Sequence, residues 1–109
     1  MMSYVKAADV ISPQKYVRSV KVIFDGGLHS FSIAEIEWDG GICIGMRWNV
    51  ARNEWERDDK KNGNCICLGM PTSHGKPVWF ILPSVSINYL YQMIDDEKKR
   101  LKEEGLSDE

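Results

Sequence analysis

Short runs of alternating apolar and polar residues dominate the first half of the chain and predict a β-sheet. Arg18–Phe24 is rich in β-branched residues, and Phe31–Trp38 and Ile42–Trp48 alternate apolar residues with polar or small ones. Such alternation places one set of side chains on each face of a strand. Turn sequences that begin at Asp25 and Asp39 and contain glycine separate the three runs. We therefore predict three antiparallel strands joined by short turns.

The pattern is less regular in the next part of the chain. Residues 53–64 are charged and poor in apolar residues, which predicts a solvated loop. Cys65–Leu68 is a candidate short strand, and residues 70–76 are predicted to be irregular because they hold proline, glycine, threonine and serine. Val78–Leu82 then predicts a buried strand that ends at a proline.

An amphipathic pattern predicts one C-terminal helix over residues 84–104. Ser84 or Ser86 can cap it, because a serine oxygen accepts a hydrogen bond from a free N–H of the first turn. Five apolar residues fall at helical spacing on one face: Ile87, Leu90, Tyr91, Ile94 and Leu101. Gly105 is a natural stop, and we expect the charged part beyond Ile94 to project past the core or fray.

Together these elements predict a single α+β domain. The chain of 109 residues is divided into a loose N-terminal arm (1–17), a curved antiparallel sheet of four to five strands (18–83), one C-terminal helix (84–104) and a tail (105–109). One helix covers only one face of a sheet, so the other face is expected to meet solvent, a ligand or a second copy. The many large apolar residues of the sheet favour a homodimer.

The length of the turn after Trp38 decides which residues of the central hairpin share a face. A two-residue turn pairs Trp38 with Gly41 and places it opposite to the face of Ile42 and Ile44. A three-residue turn shifts the pairing by one residue and moves Trp38 to the face of those isoleucines. Arg47 lies on the other face in both registers, where we expect it to point outward. The first register also predicts five further pairs: Phe31 with Trp48, Ser32 with Arg47, Ile33 with Met46, Ala34 with Gly45, and Ile36 with Cys43.

Composition and charge are those of an ordinary soluble domain. Hydrophobic residues make up 43% and charged residues 28% of the chain, and the net charge is −2. Residues 95–109 contribute −3 from seven acids and four bases, which leaves a nearly neutral body. Nucleic-acid-binding domains are usually basic, so the charge argues weakly against such a partner without deciding the question. No apolar run approaches the ~18 residues of a membrane span, and no signal-peptide pattern is present. We expect a cytoplasmic protein without a membrane partner.

The cysteines raise the question of a metal site. Their number, three, fits a reducing compartment better than a disulfide framework. Cys65 and Cys67 would point the same way from a strand, and His74 with Cys43 or His29 could complete a zinc site. Structural zinc sites usually place two to four residues between paired cysteines, and buried strand thiols are commoner. We therefore predict no metal and no cofactor.

Catalysis has little support in the sequence. Ser73 and His74 are adjacent, but a nucleophile and its base must meet through the fold together with a third, orienting group. The chain contains no phosphate-binding loop, no zincin motif and no nucleophile elbow. We therefore predict that the protein is not an enzyme.

The order of the elements carries a family resemblance over roughly residues 18–96. The central hairpin contains, in order, an aromatic residue, a glycine turn, an aliphatic strand and an arginine: Trp38, Gly40, residues 42–46 and Arg47. A polar excursion, a Gly-Lys pair, a short strand and an amphipathic helix follow: residues 53–64, Gly75 and Lys76, Val78–Leu82, and residues 84–96.

This order resembles the positive cofactor four family of single-stranded-DNA-binding transcriptional coactivators and their small bacterial relatives. The resemblance implies a curved four-stranded sheet followed by one helix, paired into a homodimer. Pro77 and Trp79 stand where the family favours glycine and lysine. Residues 46–49 together with residues 75–83 also look like small bacterial proteins of uncharacterised function.

A site for single-stranded nucleic acid needs cations for the phosphates and aromatic rings for the bases. The candidates are Arg47, Trp38, Lys21, Arg18 and Lys76. Arg47 could instead be a solvated residue paired with a glutamate, and Trp38 a core or interface residue. Trp48 and Trp79 are expected in the core, whereas Trp55 in its charged segment is a candidate contact residue. We predict a homodimeric, transcription-regulator-like domain that binds single-stranded nucleic acid. The alternative is a protein–protein interaction module that uses the same face or the 53–64 loop.

Overall fold

An antiparallel sheet of four strands and one long helix form the body of the protein. The computed structural model describes residues 1–103. In chain order the elements are β1 (Val17–Asp25), β2 (Phe31–Trp38), β3 (Gly41–Trp48), α1 (Asp58–Lys61), β4 (Thr72–Ser73), β5 (Lys76–Pro77), β6 (Phe80–Leu82) and α2 (Ile87–Glu103). The sheet has the strand order β1-β2-β3-β6 and is open, while β4 and β5 form a separate two-stranded hairpin. The predicted α+β class is confirmed.

The central hairpin has the register of the two-residue turn. Trp38 pairs with Gly41, and the five further pairs predicted for this register are all present. Asp39 and Gly40 have φ values of 49° and 86°, as a hairpin turn matched to the twist of its strands requires. Ile44 is fully buried, whereas Ile42, which precedes it by two residues on the same face, is 63% exposed.

Helix α2 covers one face of the sheet. Leu90 and Ile94 are buried in a cluster with Phe24, Ile33 and Ile44. Leu101 also packs against this cluster, so the charged part of the helix stays on the sheet as far as Leu101, and the helix itself continues to Glu103. Ser84–Ser86 forms a short 3₁₀ turn before the helix, in which the Ser86 hydroxyl donates to the Pro83 carbonyl at 2.6 Å. The end of the predicted helix at residue 104, the stop at Gly105 and the tail lie outside the described residues.

The N-terminal segment covers the opposite face, so the predictions of a loose arm and an open sheet face are wrong. Ala7 and Val10 are 2% and 0% exposed and pack in a cluster with Ala34 and Trp79. The Trp79 ring donates from Nε1 to the Val10 carbonyl at 2.8 Å. A Cβ added at Gly45 would lie 2.6 Å from the Ile36 Cδ1 and 3.1 Å from the Trp79 Cβ, so a side chain there would require both neighbours to shift. The small residues on this face of β2 and β3 leave space for the N-terminal segment to pack against the sheet.

The excursion between β3 and β6 is more structured than predicted. Residues 53–64 contain α1 and most of a 3₁₀ turn at Arg52–Glu56, and Glu54 and Lys60 are buried there. Residues 70–76 include all of the β4–β5 hairpin except Pro77, rather than irregular chain alone. Cys65–Leu68, predicted as a short strand, forms a single parallel β-bridge, between Cys67 and Tyr4.

The tryptophans expected in the core behave differently from each other. Trp79 is 5% exposed, which confirms the prediction, whereas Trp48 is 53% exposed and lies outside the core. The strand predicted over Val78–Leu82 is shortened to β6, and Val78 forms a single bridge with Ser12. Among residues 1–103, no helix is long and apolar enough to cross a membrane.

Candidate functional site

Arg47 lies in the interior, so the prediction of an outward, accessible cation is wrong. Its side chain is 3% exposed, and the guanidinium donates to the carbonyl oxygens of Leu68, Pro71 and Val78. Burial lowers the pKa of Arg47 to about 10, against an opposing effect of Glu54, so the group remains charged at neutral pH. Arg47 thus fastens the excursion to β3 rather than facing a phosphate.

A buried carboxylate organises the same excursion from the other side. Glu54 accepts hydrogen bonds from the N–H groups of Ala51 at 2.9 Å, Leu68 at 2.8 Å and Gly69 at 2.9 Å. The Lys60 Nζ lies 3.4 Å from its carboxylate. Burial raises the pKa of Glu54, but these bonds outweigh it and hold the pKa below its usual value. Gly69 has a φ of 71° and passes so close to β3 that a side chain there would collide with it.

A shallow cavity of about 380 Å³ lies between the N-terminal segment and the β4–β5 hairpin. A parallel bridge between Ser12 and Val78 brings the two segments together. The cavity is lined by Ser12, Pro13, Gln14, Lys15, Ser73, His74, Lys76 and Val78. This lining contains two lysines, a histidine and two hydroxyl groups but no acidic side chain. It can therefore present cations and hydrogen-bond donors to an anion.

Lys15 connects this cavity to a pair of stacked aromatic rings. Its Nζ lies 5.4 Å from the centroid of the Tyr16 ring, within the range of a cation–π contact. Tyr16 stacks on Trp38 with 5.4 Å between ring centroids and 18° between ring planes. Both rings are only half-buried. We name the following set the basic–aromatic patch: Lys15, Tyr16, Trp38, His74 and Lys76.

The five residues predicted from the sequence do not form one site. Lys76 and Trp38 belong to the basic–aromatic patch. Arg18 is exposed in β1, next to the residue that pairs with Trp38, and Lys21 pairs farther along β1 with Glu35. Arg47 is buried elsewhere.

Sequence reasoning missed Lys15, Tyr16 and His74 as members of the patch. Lys15 and Tyr16 were assigned to a loose arm, and His74 was considered only for zinc or catalysis. The adjacent Lys-Tyr pair was the signal available in the sequence.

An apolar surface lies at the end of β3. A cavity of about 400 Å³ is lined by Phe31, Met46, Arg47, Trp48, Met70, Pro71 and Phe80. Trp48 and Met70 are joined by two backbone hydrogen bonds, of 2.8 and 3.1 Å. We name the following set the aromatic groove: Phe31, Met46, Trp48, Met70 and Phe80.

A neighbouring cavity of about 350 Å³ shares Trp48 and Met70 with the aromatic groove. Trp55 lines it together with His29, on which it stacks with 4.8 Å between ring centroids. The stack leaves Trp55 half-buried rather than fully exposed in a solvated loop.

The residues considered for zinc are not assembled. Cys65 is exposed and Cys67 is buried, while His74 lines the cavity of the basic–aromatic patch. Within residues 1–103, no group of three or more His, Cys, Asp or Glu side chains is placed to hold a metal ion.

Comparisons of the chain with protein-family models, with curated proteins and with solved structures find no match. The resemblance to the positive cofactor four family therefore stays a prediction, and geometry alone identifies the basic–aromatic patch and the aromatic groove as the two candidate surfaces.

Proposed function

We propose that this protein is a non-enzymatic module that binds single-stranded nucleic acid at the basic–aromatic patch, in a transcription-regulator-like role. The observation that carries the proposal is the concave surface that combines Lys15 and Lys76, has no acidic lining residue, and continues into the Tyr16–Trp38 stack. Single-stranded nucleic acid is held by cations that follow its phosphates and by rings on which its bases stack.

The chemistry of the patch implies binding with little sequence preference. Ser73 and His74 can donate hydrogen bonds to phosphate oxygens, which positions a strand without reading its bases. Stacking on the ring surface that the Tyr16–Trp38 pair leaves accessible tolerates any base, since every base has a π-face.

The proposal places this activity in the cytoplasm. Cys43, Cys65 and Cys67 are all free thiols in the structure. Free thiols, one of them exposed, fit a reducing compartment.

Fluorescence anisotropy with a short labelled oligothymidylate tests the site. We expect binding that weakens steeply with salt, because lysines release counterions from the phosphates. Lys15→Ala and Lys76→Ala are each expected to weaken binding and to reduce the slope of log Kobs against log salt by about 0.7. Lys21→Ala is the matched control: this exposed lysine of β1 lies outside the patch, so its removal should leave the slope unchanged.

Two outcomes would contradict the proposal. The absence of salt-sensitive binding at micromolar protein would favour the protein–protein interaction module instead. A loss of binding in Lys21→Ala without a loss in Lys15→Ala or Lys76→Ala would show that nucleic acid binds at another surface.

We include a homodimer in the proposal. Several large apolar side chains remain exposed, among them Trp48, Met70 and Phe80. Exposed apolar surface of this kind is typical of an interaction site.

Light scattering measures the homodimer directly. We expect a mass of about twice the 12.5 kDa of one chain at micromolar concentration, and a fall toward the monomer mass on dilution. A measured mass equal to that of the monomer at every concentration would refute the dimer. It would not bear on nucleic-acid binding, which the anisotropy titration tests separately.

A further inference from the structure

We propose that His74 contacts the phosphates of single-stranded nucleic acid in its protonated form, so that the basic–aromatic patch binds more tightly as the pH falls toward about 6. This inference rests on the proposed nucleic-acid binding and adds its regulation by pH.

The backbone holds His74 at the tip of the β4–β5 hairpin. Ser73 pairs with Lys76, so His74 and Gly75 form a two-residue turn between them. Both turn residues have positive φ, of 52° and 76°, as a tight hairpin turn requires. The turn therefore fixes the imidazole beside the cavity that it lines, between the hairpin and the N-terminal segment.

The charged groups that face His74 across this cavity are all positive. Lys15 lines the cavity from the N-terminal segment and Lys76 lines it from β5, whereas Ser12 and Ser73 are neutral. Within residues 1–103, no acidic side chain lines this cavity, and no ion pair involves His74 or either lysine. The cavity of the free protein thus supplies no negative charge to the His74 ring, whereas a bound phosphate would.

The chemistry of histidine couples phosphate binding to protonation. An unperturbed imidazole changes its charge between about pH 5 and pH 8, a range in which lysine stays protonated. The neutral ring has one N–H donor, whereas the protonated ring has two donors and a positive charge. A phosphate oxygen forms a stronger, charge-assisted hydrogen bond with the protonated ring. The phosphate therefore stabilises the protonated ring, the proton is taken from solvent, and by linkage a lower pH tightens binding.

Anisotropy titrations with the labelled oligothymidylate at about pH 8 and about pH 6 test this coupling. The wild type is expected to bind about three- to tenfold more tightly at the lower pH, because a hydrogen bond from a charged donor is stronger than one from a neutral donor. The slope of log Kobs against log salt should become steeper by up to about 0.7, the contribution of one further cation. His74→Asn should show neither change, and its fold should persist because asparagine tolerates the positive φ of this position.

His29→Asn is the matched control and should keep the full pH dependence. His29 is the other histidine of the chain, is also exposed, and lies outside this cavity. A wild-type affinity that stays constant between the two pH values overturns the inference and leaves nucleic-acid binding at the patch intact. A pH dependence that persists in His74→Asn also overturns it, because another group then takes up the proton. The absence of salt-sensitive binding at both pH values overturns the proposed function and this inference together.

Discussion

Replacing Arg47 by alanine is expected to lower the free energy of unfolding by about 3–5 kcal/mol, because this one buried side chain supplies the donors for three backbone carbonyls. The carbonyls of Leu68, Pro71 and Val78 would lose their guanidinium donor. A buried polar group left without its partner costs about 1–3 kcal/mol. Urea unfolding followed by circular dichroism measures the difference.

Two further variants test whether Arg47 stabilises the fold through its planar set of donors or only through its charge. Arg47→Lys keeps the charge but not the planar fork of donors, so it should recover only part of the lost stability. Arg52→Ala removes an exposed arginine of the same excursion and should change the free energy of unfolding by less than about 0.5 kcal/mol. A stability of Arg47→Ala within 1 kcal/mol of the wild type would contradict the bracing role, on the scale of about 1–3 kcal/mol per unsatisfied group.

The burial of Arg47 also changes how it bears on nucleic-acid binding. Arg47 is buried and donates to carbonyls that lie 21 to 31 positions later in the chain. A substitution at this position therefore changes the stability of the fold. Loss of oligonucleotide binding in Arg47→Ala would therefore report a disturbed fold rather than a missing phosphate contact. Lys15 and Lys76 are the positions at which binding itself is tested.

The features that could be predicted from the sequence are those set by neighbouring residues. The bounds of β2, Phe31–Trp38, agree with the alternation that predicted them. The pairing of β2 with β3 follows from the Asp39-Gly40 turn, whose two residues can adopt positive φ. The helical spacing likewise identified Leu90 and Ile94 as residues that face the sheet.

The features that could not be predicted depend on segments far apart in the chain. The N-terminal segment has no period of its own, and its burial depends on contacts such as that between Val10 and Trp79, 69 positions later. Alternation correctly assigned the strand face of Arg47, but only the fold shows that the excursion covers it. The candidate site is divided in the same way: Trp38 and Lys76 were identified, whereas Lys15 was missed because its segment was expected to be loose.

Glu54→Gln is expected to lower the free energy of unfolding by about 2–4 kcal/mol at neutral pH, since it disrupts a buried, multiply bonded ion pair. Both oxygens of the carboxylate are used, by three backbone N–H groups and by Lys60. Glutamine keeps one acceptor oxygen and turns a donor amide toward groups that themselves donate. It also leaves Lys60 buried without its carboxylate.

The effect of Glu54→Gln should depend on pH in a defined direction. Because the folded-state pKa of Glu54 lies below its ordinary value of 4.5, its ionised form contributes stability in full above that value. This contribution is lost as the pH falls through the folded-state pKa, where the wild-type carboxyl also becomes neutral. The stability difference between wild type and Glu54→Gln should therefore be largest near pH 7 and shrink below about pH 4.5.

Urea unfolding of both proteins from pH 7 to pH 3 measures this change. Glu56→Gln is the matched control, since it replaces an exposed glutamate of the same 3₁₀ turn and should stay close to the wild type throughout. A difference for Glu54→Gln that remained constant across the range would show that its charge contributes nothing beyond the shape of the side chain. Convergence at low pH would instead establish that an ionised carboxylate, bound by Ala51, Leu68 and Gly69, holds the two ends of the excursion's first half together.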